Sequence, residues 1–66
     1  MQQSNELIQR ERELIVPVAE GKSNRQVAAA TGLTPATVKS YLETIRRKTG
    51  TGNRVEMTNW WNAHKE

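Results

Sequence analysis

Apolar residues recur along this chain at helical spacing in four blocks, and nowhere at the alternating spacing of a half-buried strand. In the first block Leu7, Leu14 and Val18 share one face with Ile8, Ile15 and Ala19, which predicts a helix over about 5–20. Gly21 suits the left-handed position that closes such a helix. Pro17 falls inside the span, where it removes a backbone hydrogen bond and its ring meets the carbonyl four residues back. A kink or a loosened last turn is therefore expected.

The second block opens on Ser23-x-x-Gln26, a capping box in which the hydroxyl takes an orphan amide while the glutamine reaches back. It predicts a helix over 24–31 with Val27, Ala28 and Thr31 inward and Gly32 at its end. The third block has Thr34 as N-cap and Pro35 at the first helical position, where a missing N–H costs nothing. Val38, Leu42 and Ile45 follow at i, i+4 and i+7, flanked by Tyr41, and the helix should run over 35–48. Arg46, Arg47 and Lys48 then lie in its last turn, favoured by the macrodipole. Thr49-Gly50-Thr51-Gly52 breaks it, and Asn53-x-x-Glu56 reads as a second capping box opening a helix over 54–64. The expectation is a compact all-α domain of four helices filling 1–66, with no linker or repeat.

Size and composition add a constraint. A core drawn from 66 residues seldom supplies more than ~3–5 kcal/mol on its own. With no cysteine and a single histidine, His64, neither disulfides nor a metal site can supplement it, and no cofactor is expected. Self-association is the natural supplement. No apolar run approaches the ~18–20 residues needed to cross a membrane, and MQQSNELIQR lacks the apolar centre of a signal peptide, so a cytoplasmic protein is expected.

Charge is unevenly spread. Residues 1–20 hold two bases and four acids, net −2; residues 21–54 hold seven bases and Glu43 alone, net +6; residues 55–66 return to −1. A basic middle between acidic ends points to one surface facing a polyanion; a merely solvated charged face is the plainer alternative.

The spacing Ala28-x-x-x-Gly32-Leu33-x-x-x-x-Val38 lies within that basic middle. A small residue lets two helices cross closely, a glycine permits the tight turn, and two apolar residues anchor both helices. These are the steric needs of a helix-turn-helix. Facing away from Val38, Leu42 and Ile45 are Ala36, Thr37, Lys39, Ser40, Glu43, Arg46 and Arg47. Lys39 can donate to guanine O6 and N7, and Thr37 or Ser40 to phosphates or base edges. Ser23, Asn24 and Arg25 would offer a helix amino end and a cation to a phosphate. The plainer readings are that Thr37 only supports its cap and that Lys39 is an ordinary surface lysine.

Four ordered motifs carry a resemblance: Arg10-Glu11-Arg12-Glu13-Leu14, then Ala19-Glu20-Gly21-Lys22-Ser23-Asn24-Arg25, then Thr37-Val38-Lys39-Ser40-Tyr41-Leu42 with Ile45 and Lys48, and finally Asn53-Arg54-Val55-Glu56. From about Leu7 to Trp61 the chain resembles the DNA-binding domain of LuxR-type (FixJ/NarL or GerE-type) bacterial transcription regulators. The resemblance implies that the third helix enters the major groove of double-stranded DNA. It further implies that two copies pair through the fourth helix as a homodimer on an inverted-repeat site. Lys39, Ser40 and Glu43 then face bases, and Asn24, Arg25, Thr37 and Arg54 lie near or on the phosphate backbone; Ser23, Arg46 and Arg47 join the backbone contacts from their own chemistry and placement. Another transcription regulator or RNA polymerase would be a further partner.

The chain departs from that family's pattern at four places. Ile8 stands where a threonine N-cap is usual, so the first helix is expected to begin earlier, at Ser4 or Asn5. Pro17 lies within the first helix. Thr31 replaces a large apolar residue and should thin the core. Glu43 puts an acid on the reading face, repelled by phosphate but able to accept from cytosine N4.

Met57, Trp60, Trp61 and His64 are assigned to the dimer surface. Adjacent tryptophans diverge by ~100° around a helix, so one should fill the core and the other face a partner; burial of both parts within one subunit is the alternative. So few residues precede the first motif that the chain reads either as an excised module or as a stand-alone regulator. A rival function is an adaptor or inhibitor that pairs with another such regulator through the fourth helix. An enzyme is not expected: no acid–base pair or nucleophile with histidine is evident, and TGTGN lacks the lysine and strand context of a phosphate loop.

Overall fold

The computed structural model describes residues 7–64, in which every regular element is a helix. The helices are α1 (Gln9–Ala19), α2 (Asn24–Thr31), α3 (Pro35–Thr49) and α4 (Arg54–His64). The fold is all-α, with α1 at its centre: it packs on α2, α3 and α4, whereas α2 and α4 do not pack on each other. Leu14, Ile15 and Val18 of α1 meet Val27 and Ala28 of α2, Val38, Leu42 and Ile45 of α3, and Met57 of α4 in one core. Leu33, Tyr41, Trp60 and Trp61 are half-buried around it.

The start of α1 differs from expectation. Ser4 and Asn5 lie outside the described residues, but Leu7 and Ile8 are not helical and Ile8 occupies the N-cap. Ile8 has no side-chain acceptor to offer, so only half of a capping box exists: Glu11 Oε1 accepts from the Ile8 amide at 3.0 Å. Burial decides the position. Leu7 is drawn into the core and Glu11 is fixed inside, so the first turn is anchored there without a capping hydroxyl.

Pro17 is accommodated near the end of α1 rather than breaking it. The last turn is mixed: the Glu20 amide is shared between the Val16 and Pro17 carbonyls, and Gly21 N–H donates to Val18. Lys22 N–H closes on the Pro17 carbonyl at 3.0 Å, the six-to-one bond of a Schellman cap. Proline therefore sits where the helix is already ending.

The other boundaries follow local chemistry. Ser23 and Gln26 form their reciprocal box, with bonds of 3.2 and 2.8 Å. Thr34 Oγ1 accepts from Thr37 N–H above Pro35, as an N-cap should. Asn53 Oδ1 accepts from Glu56 N–H, but Glu56 bonds the amide of Gly52 rather than of Asn53. A Cβ on Gly52 would stand 3.2 Å from that carboxylate oxygen, close enough that the glutamate would have to shift slightly.

Glu11 is the unforeseen element of the core. It is 2% exposed, and the same Oε1 that caps α1 accepts from Lys48 Nζ at 2.9 Å, tying the start of α1 to the end of α3. Thr31 does not leave its polar group stranded: the hydroxyl donates to the Val27 carbonyl at 2.8 Å, and its own carbonyl accepts from Arg10. Arg10 also bonds Glu13 at 2.8 Å. That bond, with a second from Gln9, holds the Glu13 carboxyl below its ordinary range.

Candidate nucleic-acid interface

Construction of the site begins at the turn between α2 and α3. Gly32 has φ 74°, a region that penalises any Cβ, and this lets the chain reverse within three residues. The Ala28 carbonyl accepts from both Gly32 N–H and Leu33 N–H, so the turn is bonded as well as permitted. Ala28 and Val38 are buried and Leu33 half-buried, which locks α3 across α2. The spacing read in the sequence is a helix-turn-helix in the folded chain.

With Val38, Leu42 and Ile45 buried, the opposite pole of α3 is fixed by helix geometry. Ala36, Lys39, Ser40, Glu43 and Arg47 fall within an arc of about 100° there, and all five are exposed. Lys39, Glu43 and Arg47 form no ion pair among the described residues. The face is therefore preformed, mainly basic, and smallest at its amino end, where Ala36 and Ser40 allow close approach.

Thr37 is half-buried, and its hydroxyl accepts from Thr34 Oγ1 at 3.0 Å. It supports the cap, as the plainer reading held, yet the Thr37 proton remains available to an outside acceptor. Arg46 lies at the edge of the arc, half-buried, beside Arg47. Ser23 and Arg25 are exposed at the amino end of α2, though Ser23 Oγ already accepts from Gln26 N–H.

Asn24 and Arg54 come together. The Arg54 guanidinium donates to Asn24 Oδ1 and, at 3.4 Å, to the Lys22 carbonyl. Both residues line a cleft of about 230 Å³ together with Lys39, Glu43, Arg46 and the buried Leu42 and Met57. Sequence spacing gave no sign of this bond between residues thirty positions apart.

On α4 the expected pairing residues divide. Met57 is 2% exposed and belongs to the core, so it has no surface to give a partner. Trp60 and Trp61 are both half-buried against the core, and neither is wholly inside or wholly out. His64 is exposed and stacks on Trp60 at 4.3 Å while its Nδ1 bonds the Trp60 carbonyl at 2.8 Å. Val55, quoted in the fourth motif but not among the expected pairing residues, is 70% exposed at the start of α4. With Val18 and Ala19 it lines a shallow groove between α1 and α4.

No group of three or more metal-ligating side chains occurs among the described residues, and none of their helices is long and apolar enough to cross a membrane.

Comparison with known proteins agrees with this geometry. The family described as bacterial regulatory proteins, luxR family (GerE), matches residues 5–61. The chain is 46% identical over 49 residues to the probable transcriptional regulatory protein SgaR of Hyphomicrobium methylovorum, covering 74% of this chain and 23% of that protein. It is 37% identical over 59 residues to the HTH-type transcriptional activator RamA of Corynebacterium glutamicum, covering 89% of this chain and 21% of that protein. The chain thus spans less than a quarter of the length of these relatives. No solved structure matches it.

Proposed function

The chain belongs to the luxR family of bacterial regulatory proteins, and from that premise we propose that it binds duplex DNA sequence-specifically as a homodimer, with α3 in the major groove. DNA-binding transcription regulation is the role its family and relatives carry. The observation that carries the finer reading is the outward pole of α3: Lys39, Ser40, Glu43 and Arg47 exposed around a small amino end, on a helix fixed by its opposite face.

Lys39 leads the base readout through a guanine, Ser40 approaches beside it, and Glu43 accepts from a cytosine amino group. Ser23, Arg25, Thr37, Arg46 and Arg47 serve the phosphates, with the backbone amide of Asn24 at the first turn of α2 among them. Two copies meet through α4, where Val55, Trp60, Trp61 and His64 supply the surface and Met57 supports it from within. The role is binding rather than catalysis, carried out in the cytoplasm beside the chromosome, with RNA polymerase or another regulator as a further partner.

Glu43 favours one second reading. An acid in the middle of the reading face weakens non-specific attraction to phosphate, and a luxR-type fold that had given up DNA would still keep α4 for pairing with another regulator. Electrophoretic mobility shift on a duplex selected from a random pool, paired with sedimentation of the free chain, separates the two. A dimer that shifts its selected duplex supports the regulator; a chain that shifts no duplex and sediments as a monomer supports the adaptor.

A further inference from the structure

Arg54 was expected to serve the phosphate backbone, yet its guanidinium is engaged within the protein. It donates to Asn24 Oδ1 at the first turn of α2 and to the Lys22 carbonyl just before it. Neither α2 nor α4 packs on the other, so this fork joins two helices that the core leaves apart. Its position matters as much as its partners. Asn24 and Arg54 line the same cleft as Lys39 and Glu43, with the buried Leu42 and Met57 beneath. A strap there fixes the distance between the amino end of α2 and the start of α4, beside the outward face of α3.

We propose that Arg54 is a positioning residue: it straps the start of α4 to the amino end of α2 beside this cleft and holds the phosphate-facing end of α2 in register with the helix assigned to pairing, instead of binding a phosphate itself. The proposal rests on the reading of α3 as the DNA-reading helix. Guanidinium geometry suits the role. Two acceptors on one side are met by a planar fork of donors, whereas a lysine ammonium offers a point charge on a flexible stem and cannot hold both at once. Because α4 is also the helix assigned to pairing, the strap makes the second copy and the phosphate-facing end of α2 move together.

The strap and a phosphate contact make opposite demands on three variants. Arg54→Lys keeps the charge and loses the fork; Asn24→Ala removes the acceptor; the third combines them. Affinity is measured on a duplex selected with the parent chain, across a salt series, and hydrogen exchange at the Val27 amide is measured in the free protein, with circular dichroism as the control for folding. The strap predicts that each single variant weakens specific binding about tenfold or more, that the double variant is no worse than either single one, and that the slope of log affinity on log salt is unchanged. It also predicts faster exchange at Val27 in all three.

Additive losses, or an Arg54→Lys variant that binds like the parent, would overturn the strap in favour of separate phosphate contacts. So would an Arg54→Ala variant whose salt slope falls by about 0.9, the value for one lost phosphate contact. A parent chain that selects no duplex would instead overturn the reading of α3. The strap then stands or falls on exchange: acceleration in the variants supports it, and unchanged exchange refutes it.

Discussion

Lys39 and Glu43 stand one turn apart on α3, opposite in charge and both exposed, yet they form no ion pair. Each therefore keeps its full capacity for a base edge. Replacing Lys39 with alanine should cost ~1–3 kcal/mol on the selected site and relax preference at one base pair; affinities on that site and on single-base variants of it are the check, and an equal loss on every sequence would make Lys39 a phosphate contact. Arg47, at the same pole but farther along the helix, should behave in that second way. Arg47→Ala is expected to lower the salt slope by about 0.9 whatever the sequence, and an unchanged slope would remove Arg47 from the interface. In the core, Glu11 and Lys48 are unequally buried, with side chains 3% and 28% exposed. Lys48→Met leaves a nearly enclosed carboxylate without its cation, whereas Glu11→Gln leaves an ammonium that can swing outward. Both should lower the urea midpoint, Lys48→Met by more, and each by less than the ~3–5 kcal/mol of a fully enclosed pair. Equal midpoints would mean the carboxylate reaches water.

Among the elements, those ended by local chemistry were legible in the sequence and those ended by burial were not. Ser23 with Gln26, Thr34 with Pro35, and Gly32 each act through atoms within a few residues, and α2 and α3 begin and turn where those residues place them. The start of α1 is set instead by Leu7 entering the core and by Glu11 meeting Lys48, contacts that close 37 residues apart and leave no periodic trace. The Asn24–Arg54 bond escaped for the same reason. Ile8 remains a weak cap, 52% exposed and in the extended conformation that a cap requires. Ile8→Thr should add about 1 kcal/mol by giving the Glu11 amide an acceptor, which in a domain this size raises Tm by about 4–8 °C. A thermal melt that shows no rise would mean Glu11 already meets the need of that turn.

For the molecule as a whole, the proposed pairing would add to a small core, and it assigns the surface to α4. The sequence singled out α4 for pairing, but misjudged which residues are free. Met57 lies on the apolar side that any short helix must bury, while Val55 is left outside at 70% exposure, beside the groove against α1. Val55→Glu should convert a dimer to a monomer in sedimentation without changing the far-ultraviolet circular dichroism; a dimer that survives it would move the interface away from the start of α4. The same substitution should weaken binding to a two-half-site duplex far more than to one half-site, since linked half-sites gain from effective concentration.

In-vitro selection from a random duplex pool at physiological salt asks whether this chain reads DNA as a symmetric pair. Enrichment of an inverted repeat with half-sites about one helical turn apart is expected, as two copies of α3 related by a two-fold axis through paired α4 helices require. Enrichment of no sequence above the starting pool would contradict that expectation, leaving α4 and a protein partner as the working surface of this chain.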